Sequence, residues 1–203
     1  VTVLRCAYDG AVLRYLEHGT ALTVHGGRGL CEPSLAWYDG QFFLTIRNDD
    51  RGYLAVSRDG LYYDGLQPWT FDDGSDLGSY NTQQHWLAHS GGLLLAYTRR
   101  GANNDMVFRH RAPMFLAEVD PARRCVLRAT EREIVPNYGA QLGNFGVVHA
   151  SPAETWVVTS ECMQGDAEDP YDIARTEARG ANNRVFICRV QWERPNNLFA
   201  YRP

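Results

Sequence analysis

The sequence predicts an all-β protein, a β-propeller assembled from four-stranded antiparallel blades. Three observations carry that prediction. Short apolar and aromatic runs alternate with turn signals, and no long stretch carries a helical period. Asp-Gly pairs stand between such runs at Asp9-Gly10, Asp39-Gly40 and Asp59-Gly60, where both residues of a tight hairpin turn must tolerate positive φ. The pattern of apolar run, turn and apolar run recurs at a spacing of about fifty residues, within the range of a propeller blade.

Residues 1–8 and 11–16 are expected to pair as a hairpin around Asp9-Gly10, with a further strand over 20–25. Gly26-Gly27-Arg28-Gly29 reads as a loop, because its glycines have neither the spacing nor the following helix of a dinucleotide site. Residues 31–69 form the organising unit. It has strands at 34–37, 41–47 and 52–57, and a fourth beginning near Tyr62. The acidic loop 71–78 lacks the Asp spacing and closing Glu of a calcium loop. Strands follow at 87–89 and 93–98, then a polar, Arg-rich connection over 99–111. Residues 112–119 and 125–135 form the next strand pair, and 146–150 and 155–161 the pair after that. Residues 163–183 read as a polar loop or lid, 185–192 as a last strand, and the tail as irregular.

At 203 residues the chain can bury one core, and a single propeller domain or part of one over 1–203 is expected. The net charge of −4 gives no footprint for nucleic acid or an anionic membrane. All 20 basic residues are arginine, which excludes Schiff-base and P-loop lysine chemistry and supplies planar binders of carboxylate and phosphate. The 5 cysteines include no C-x-x-C pair, so no zinc or redox motif, metal or cofactor is indicated. Buried free thiols in a reducing compartment are the expectation, and with no visible leader this favours the cytoplasm. The chain starts at Val1 rather than Met, which leaves open a preceding part and a secreted origin. No apolar run reaches the length of a membrane helix.

Ser57-Arg58-Asp59-Gly60 resembles the Asp-box, the S-x-D-x-G-x-x-W turn of sialidase-like β-propellers. Ser57 and Asp59 fit, Gly60 comes one residue early, and Tyr62 or Tyr63 stands in place of Trp. The box is a folding device in which Asp caps its own turn. Upstream, Glu32-Pro33-Ser34, Asp39-Gly40 and Arg47 keep the order and spacing of the family segment that carries a catalytic Glu and a carboxylate-binding Arg. The resemblance covers roughly residues 31–161. It implies a sialidase-like propeller with Arg47 and Arg111 on an anionic sugar and Glu32 in an acid/base role; Arg109 or Arg100 is the alternative to Arg111. Family members have six blades, more than this length supplies, so a small or incomplete propeller is expected.

The same resemblance implies a tyrosine nucleophile in the turn Leu142-Gly143-Asn144-Phe145-Gly146, before a strand ending in Glu161. Asn144 and Phe145 stand there instead, and neither can attack an anomeric carbon. Tyr80 or Glu161 would have to replace it. Asn144 and Gln84 remain candidates for substrate hydrogen bonds, Gln84 because the segment 80–86 is dense in polar groups beside an aromatic residue, which suits a sugar.

The expected function is therefore a glycoside hydrolase acting on an acidic or polar carbohydrate. Two alternatives stand beside it. A propeller polysaccharide lyase would use His85 or His110 to take the C5 proton of a uronate, with Tyr80 assisting. A carbohydrate-binding propeller without turnover would need no nucleophile. A Trp-Asp repeat scaffold is not indicated. Asp39, Asp64, Asp120 and Asn137 read as turn residues, His149 as core, and Asp166, Glu168, Asp169 and Asp172 as loop residues in a solvated segment. Oligomeric state is not legible.

Overall fold

The structure is a computed structural model that describes residues 1–200. A hairpin of β1 (Leu4–Tyr8) and β2 (Leu13–His18) stands apart from three larger sheets. The first sheet holds β3 (Cys31–Tyr38), β4 (Gln41–Arg47), β5 (Tyr53–Ser57) and β6 (Asp64–Pro68) in chain order. The second runs β7 (His85–His89), β8 (Gly92–Thr98) and β9 (Met114–Asp120). Two short strands, β10 (Cys125–Val126) and β11 (Arg132–Val135), share the outer edge of β9. The third places β14 (Glu154–Cys162) between β15 (Val185–Gln191) and the pair β12 (Gln141–Leu142) and β13 (Gly146–Ser151). All strand pairs are antiparallel.

The turn chemistry performs as its residues dictate. Asp39 and Gly40 both sit at positive φ, 46° and 74°, between β3 and β4. Asp59 accepts from the amides of Leu61 and Tyr62 at 2.8 and 2.9 Å and from Ser57 Oγ, while Gly60 N donates to Ser57 Oγ at 3.0 Å. The Ser57–Asp59 motif is thus a closed hydrogen-bonded turn in which Asp59 Oδ1 caps its own loop.

The three sheets stack with β3 against β7 and β7 against β13. The core between the first two sheets is aromatic: Trp86 meets Phe43 and Trp69 edge-on at centroid distances of 6.1 and 5.6 Å. Both indoles also find acceptors, Trp86 Nε1 on Ser34 O and Trp69 Nε1 on Thr45 Oγ1. A second core of Leu87, Ala96, Met114, Leu142, Phe145 and Val157 joins the second and third sheets. In β14 burial alternates strictly, with Thr155, Val157, Thr159 and Glu161 inward. The outer face of the third sheet leaves Val148, Val185 and Ile187 exposed.

Several expectations are corrected. Residues 20–25 form no strand. The single strand expected over 125–135 is broken by a 3₁₀ turn at Arg128–Thr130, whose Arg128 N reaches Asp72 Oδ1. The segment 163–183 contains a short helix, α1 (Ile173–Ala178), capped by Asp172. Asp166 there is buried and ion-paired with Arg175 and Arg179, not solvated. His149 is exposed, with Nδ1 2.9 Å from Thr155 Oγ1. All five cysteines are free, but only Cys125 is buried and Cys6 is exposed.

Candidate functional site

Strand register decides where the polar candidates go. The N-terminal ends of β3, β7 and β13 meet at one rim, where the Glu32 charge acts on His85 and the His85 ring touches Phe145. Glu32 lies at the start of β3, His85 at the start of β7, and Asn144 and Phe145 just before β13. Antiparallel partners bring their opposite ends to that rim: Cys31 pairs with Arg47, His85 with Ala96, Thr98 with Met114, and Leu142 with Glu161. Glu32, Arg47, Tyr80, Gln84, His85, Arg109, His110, Arg111, Asn144 and Glu161 therefore share one end of the sheet stack.

The backbone is locally strained there. Glu32, Asn81, Arg109 and His110 all sit at positive φ, between 47° and 62°. Such conformations disfavour non-glycine residues and persist where surrounding contacts enforce them.

Two clusters divide the rim. In the first, Arg47 is 3% exposed and pairs through Nη1 with Glu32 Oε2. Its Nη2 donates to Asn81 Oδ1 at 2.6 Å, and its buried Nε has no hydrogen-bond partner. Arg111 donates through Nη1 to Asn144 Oδ1 at 3.3 Å, and its Nε is also buried and unpartnered. Burial is the main cause that lowers the pKa of Arg111, followed by the like charges of Arg47 and Arg109, with Glu32 opposing. A crevice between the second and third sheets is lined by Gln83, Thr98, Arg111, Asn144 and Phe145, and the buried Thr98 hydroxyl there also lacks a partner. His85 meets the Phe145 ring edge-on at 4.8 Å. Burial lowers its pKa, and the nearby Glu32 charge opposes that shift.

The second cluster centres on Tyr80. Its ring carries the Arg100 guanidinium at 3.9 Å on one side and meets His110 at a centroid distance of 5.2 Å. Burial lowers the pKa of His110; Asp105, 3.4 Å from its Nδ1, opposes, and Arg100 adds to the lowering. Arg109 is exposed beside Phe108.

Other candidates are engaged internally. Gln84 is 1% exposed, donates to Thr82 O and accepts from Thr45 Oγ1. Glu161 is 5% exposed and accepts through Oε2 from the amides of Asn182 and Arg184 at 2.9 and 2.8 Å, tying the loop before β15 to β14. Sequence reasoning did not single out Arg28, Asn81 or Thr98. Arg28 was read as a loop residue, although the Gly-Gly-Arg-Gly setting already gave it a backbone able to bend toward Asp49.

No protein-family model matches the chain, and no curated protein does. Solved structures do. A xylan β-1,4-xylosidase from Bacillus halodurans C-125 superposes with a TM-score of 0.51 at 14% identity, over 75% of this chain and 31% of that one. The GH43B protein of a Bacteroides ovatus xyloglucan PUL gives 0.47 at 12% identity, over 83% and 29%. A GH32 β-fructofuranosidase of Bombyx mori gives 0.47 at 14% identity, over 88% and 39%. The chain thus spans less than half the length of each of these proteins. The likeness to the xylosidase, together with the stacked antiparallel sheets of four or five strands, shows a β-propeller-type fold.

Proposed function

We propose that the protein is a glycoside hydrolase of the sialidase-like type, acting on a carbohydrate that carries a carboxylate. The observation that carries this reading is the unbalanced charge of the first cluster. The buried Arg47 and the half-buried Arg111 lie within electrostatic range of each other, each with an unpartnered buried Nε, and face one carboxylate, Glu32, which is ion-paired with Arg47. Burying cations without full compensation is costly, and an anionic ligand supplies the missing acceptors. The name of one structural neighbour, a xylan β-1,4-xylosidase, is compatible with carbohydrate chemistry at such a rim.

In this reading Arg47 and Arg111 hold the sugar carboxylate, Asn144 steadies Arg111, and Glu32 moves the proton at the glycosidic centre. The conversion adds water across the glycosidic bond: the leaving oxygen gains a proton and the anomeric carbon gains a hydroxyl. Glu161, held by two backbone amides, is assigned to the scaffold.

One observation favours a second reading. Burial keeps His85 and His110 toward the neutral form, and Tyr80 contacts His110 directly. A neutral imidazole beside a phenol suits β-elimination on a uronate, in which the base takes the C5 proton and the glycosidic oxygen leaves with a proton.

The test is incubation with sialosides and uronate-containing glycans, following reducing ends and ultraviolet absorbance together. Hydrolysis yields reducing ends without absorbance, and Glu32→Gln abolishes it. Unchanged rates in Glu32→Gln would sink that role. Absorbance from an unsaturated uronate would transfer the assignment to His110 and Tyr80.

A further inference from the structure

The geometry points to Asn81 as the positioning residue of the anion site, acting with Arg28 to fix the orientation of Arg47. This rests on the reading of Arg47 and Arg111 as the carboxylate-binding pair.

A single oxygen, Asn81 Oδ1, accepts from two guanidiniums: Arg47 Nη2 at 2.6 Å and Arg28 Nη2 at 2.8 Å. Arg28 is itself anchored. Its Nη2 and Nε donate to Asp49 Oδ1 at 2.5 and 3.0 Å, and its backbone amide donates to Asp49 Oδ2 at 2.8 Å. That last contact needs Gly27, where an added Cβ would lie 2.6 Å from Asp49 Oδ2, at a φ of 53°. Asn81 is pinned from the other side by its amide on Asn48 O at 3.0 Å and adopts a φ of 48°. Asn48 in turn reaches back to Gly29 O at 2.7 Å. The loop of residues 26–29, the end of β4 and the segment before β7 thus form one closed hydrogen-bonded circuit.

The chemistry of the acceptor matters. Asn is among the side chains that best tolerate this backbone region, and its amide oxygen holds a guanidinium without adding charge. A carboxylate at position 81 would hold Arg47 more strongly and also neutralise it. A neutral acceptor adds no second negative charge beside Glu32, which takes Nη1, and leaves Nε as a buried N–H of this guanidinium without a partner. Asn81 thereby fixes which edge of the Arg47 fork remains for a carboxylate.

The experiment is calorimetric titration of the unaltered protein, Arg47→Met, Asn81→Gly and Asn81→Asp with glucuronate and N-acetylneuraminate, with thermal melting of each. Asn81→Gly accepts the same φ and removes the side-chain amide, its oxygen included. It is expected to melt a few degrees below the unaltered protein, since the buried Arg47 Nη2 loses its acceptor, and, well below that transition, to bind the carboxylates about tenfold more weakly, the scale of one charge-assisted hydrogen bond. Asn81→Asp is expected to melt at or above the unaltered protein, because its carboxylate pairs with Arg28 and Arg47, and still to bind the carboxylates more weakly at neutral pH. A purely structural role would not separate stability from affinity in this way. Equal affinity in the unaltered protein and Asn81→Gly, with binding lost in Arg47→Met, would overturn the role of Asn81 alone. No binding by the unaltered protein, or binding indifferent to Arg47→Met, would overturn the anion site and this inference with it.

Discussion

Glu32 and Arg47 meet across the first strand pair of the first sheet with unequal exposure, the guanidinium side chain at 4% and the carboxylate at 36%. Arg47 is built into the rim, and Glu32 is the more exposed member of the pair. Removing the arginine leaves Glu32 without its ion and opens a space in the rim. Arg47→Met is expected to keep the fold and abolish anion binding. Its cost in stability is expected at about 1–3 kcal/mol, because the partner carboxylate can still be hydrated. Arg47→Lys keeps the charge and loses the planar fork, so it is expected to restore stability better than anion affinity. Denaturant titration and calorimetry on the two variants check both parts.

Glu161 makes the opposite prediction. Its Oε2 serves the amides of Asn182 and Arg184, so its work is to hold the start of β15. Glu161→Ala leaves two amides short of an acceptor and is expected to destabilise by about 2–3 kcal/mol. At a chain length of 203 residues that corresponds to a fall in Tm of roughly 4–12 °C. Anion affinity measured well below the melting transition should stay near that of the unaltered protein. Loss of affinity without loss of Tm would return Glu161 to the chemistry.

His85 gives a pH signature. Burial lowers its pKa from the usual imidazole value, with Glu32 opposing. The unfolded chain therefore takes up the proton first as pH falls, and stability declines as pH drops through the unfolded value near ~6.5. Above that value His85 is neutral in both states and contributes no slope. Nuclear magnetic resonance titration should place the His85 midpoint below that of a model imidazole, and Glu32→Gln should lower it further by removing the one opposing charge. A midpoint that rises in Glu32→Gln would contradict the proximity of the two groups.

A second pH window belongs to the third sheet. Arg189 foremost, then the Trp156 indole and Gln191, hold the carboxyl of Glu154 down to about 2. Its contribution is present above the unfolded carboxylate range and is lost as pH falls from about 4.5 toward 2. Glu154→Gln is expected to flatten the acid limb of the stability profile in that interval. An unchanged acid limb would assign the acid lability to other carboxylates.

Much of this architecture was legible because strand ends are marked by their own turn chemistry. Asp39-Gly40 fixed the β3–β4 register, and the register carried Glu32 and Arg47 to one rim. The tie between Arg28 and Asn81 was not legible: it joins residues 53 apart, both in segments without periodicity, and depends on the bend at Gly27. The break between β10 and β11 was hidden for a related reason. Residues 125–135 are apolar at both ends, which suits one strand, but the contacts of Arg128 with Asp72, Asp73 and Ser75 pull the chain out of the sheet. His149 misled because it sits among apolar neighbours in sequence, whereas β13 turns that half of the strand toward solvent.

The most direct test of the account compares two substrates that differ only in charge. A reducing-end assay is run with a sialoside or glucuronoside as the free acid and as its methyl ester, on the unaltered protein and on Arg111→Met. The account predicts cleavage of the free acid, a large loss with the ester, and a comparable loss for the free acid in Arg111→Met. Cleavage of acid and ester at equal rates, or a free-acid rate indifferent to Arg111, would contradict it.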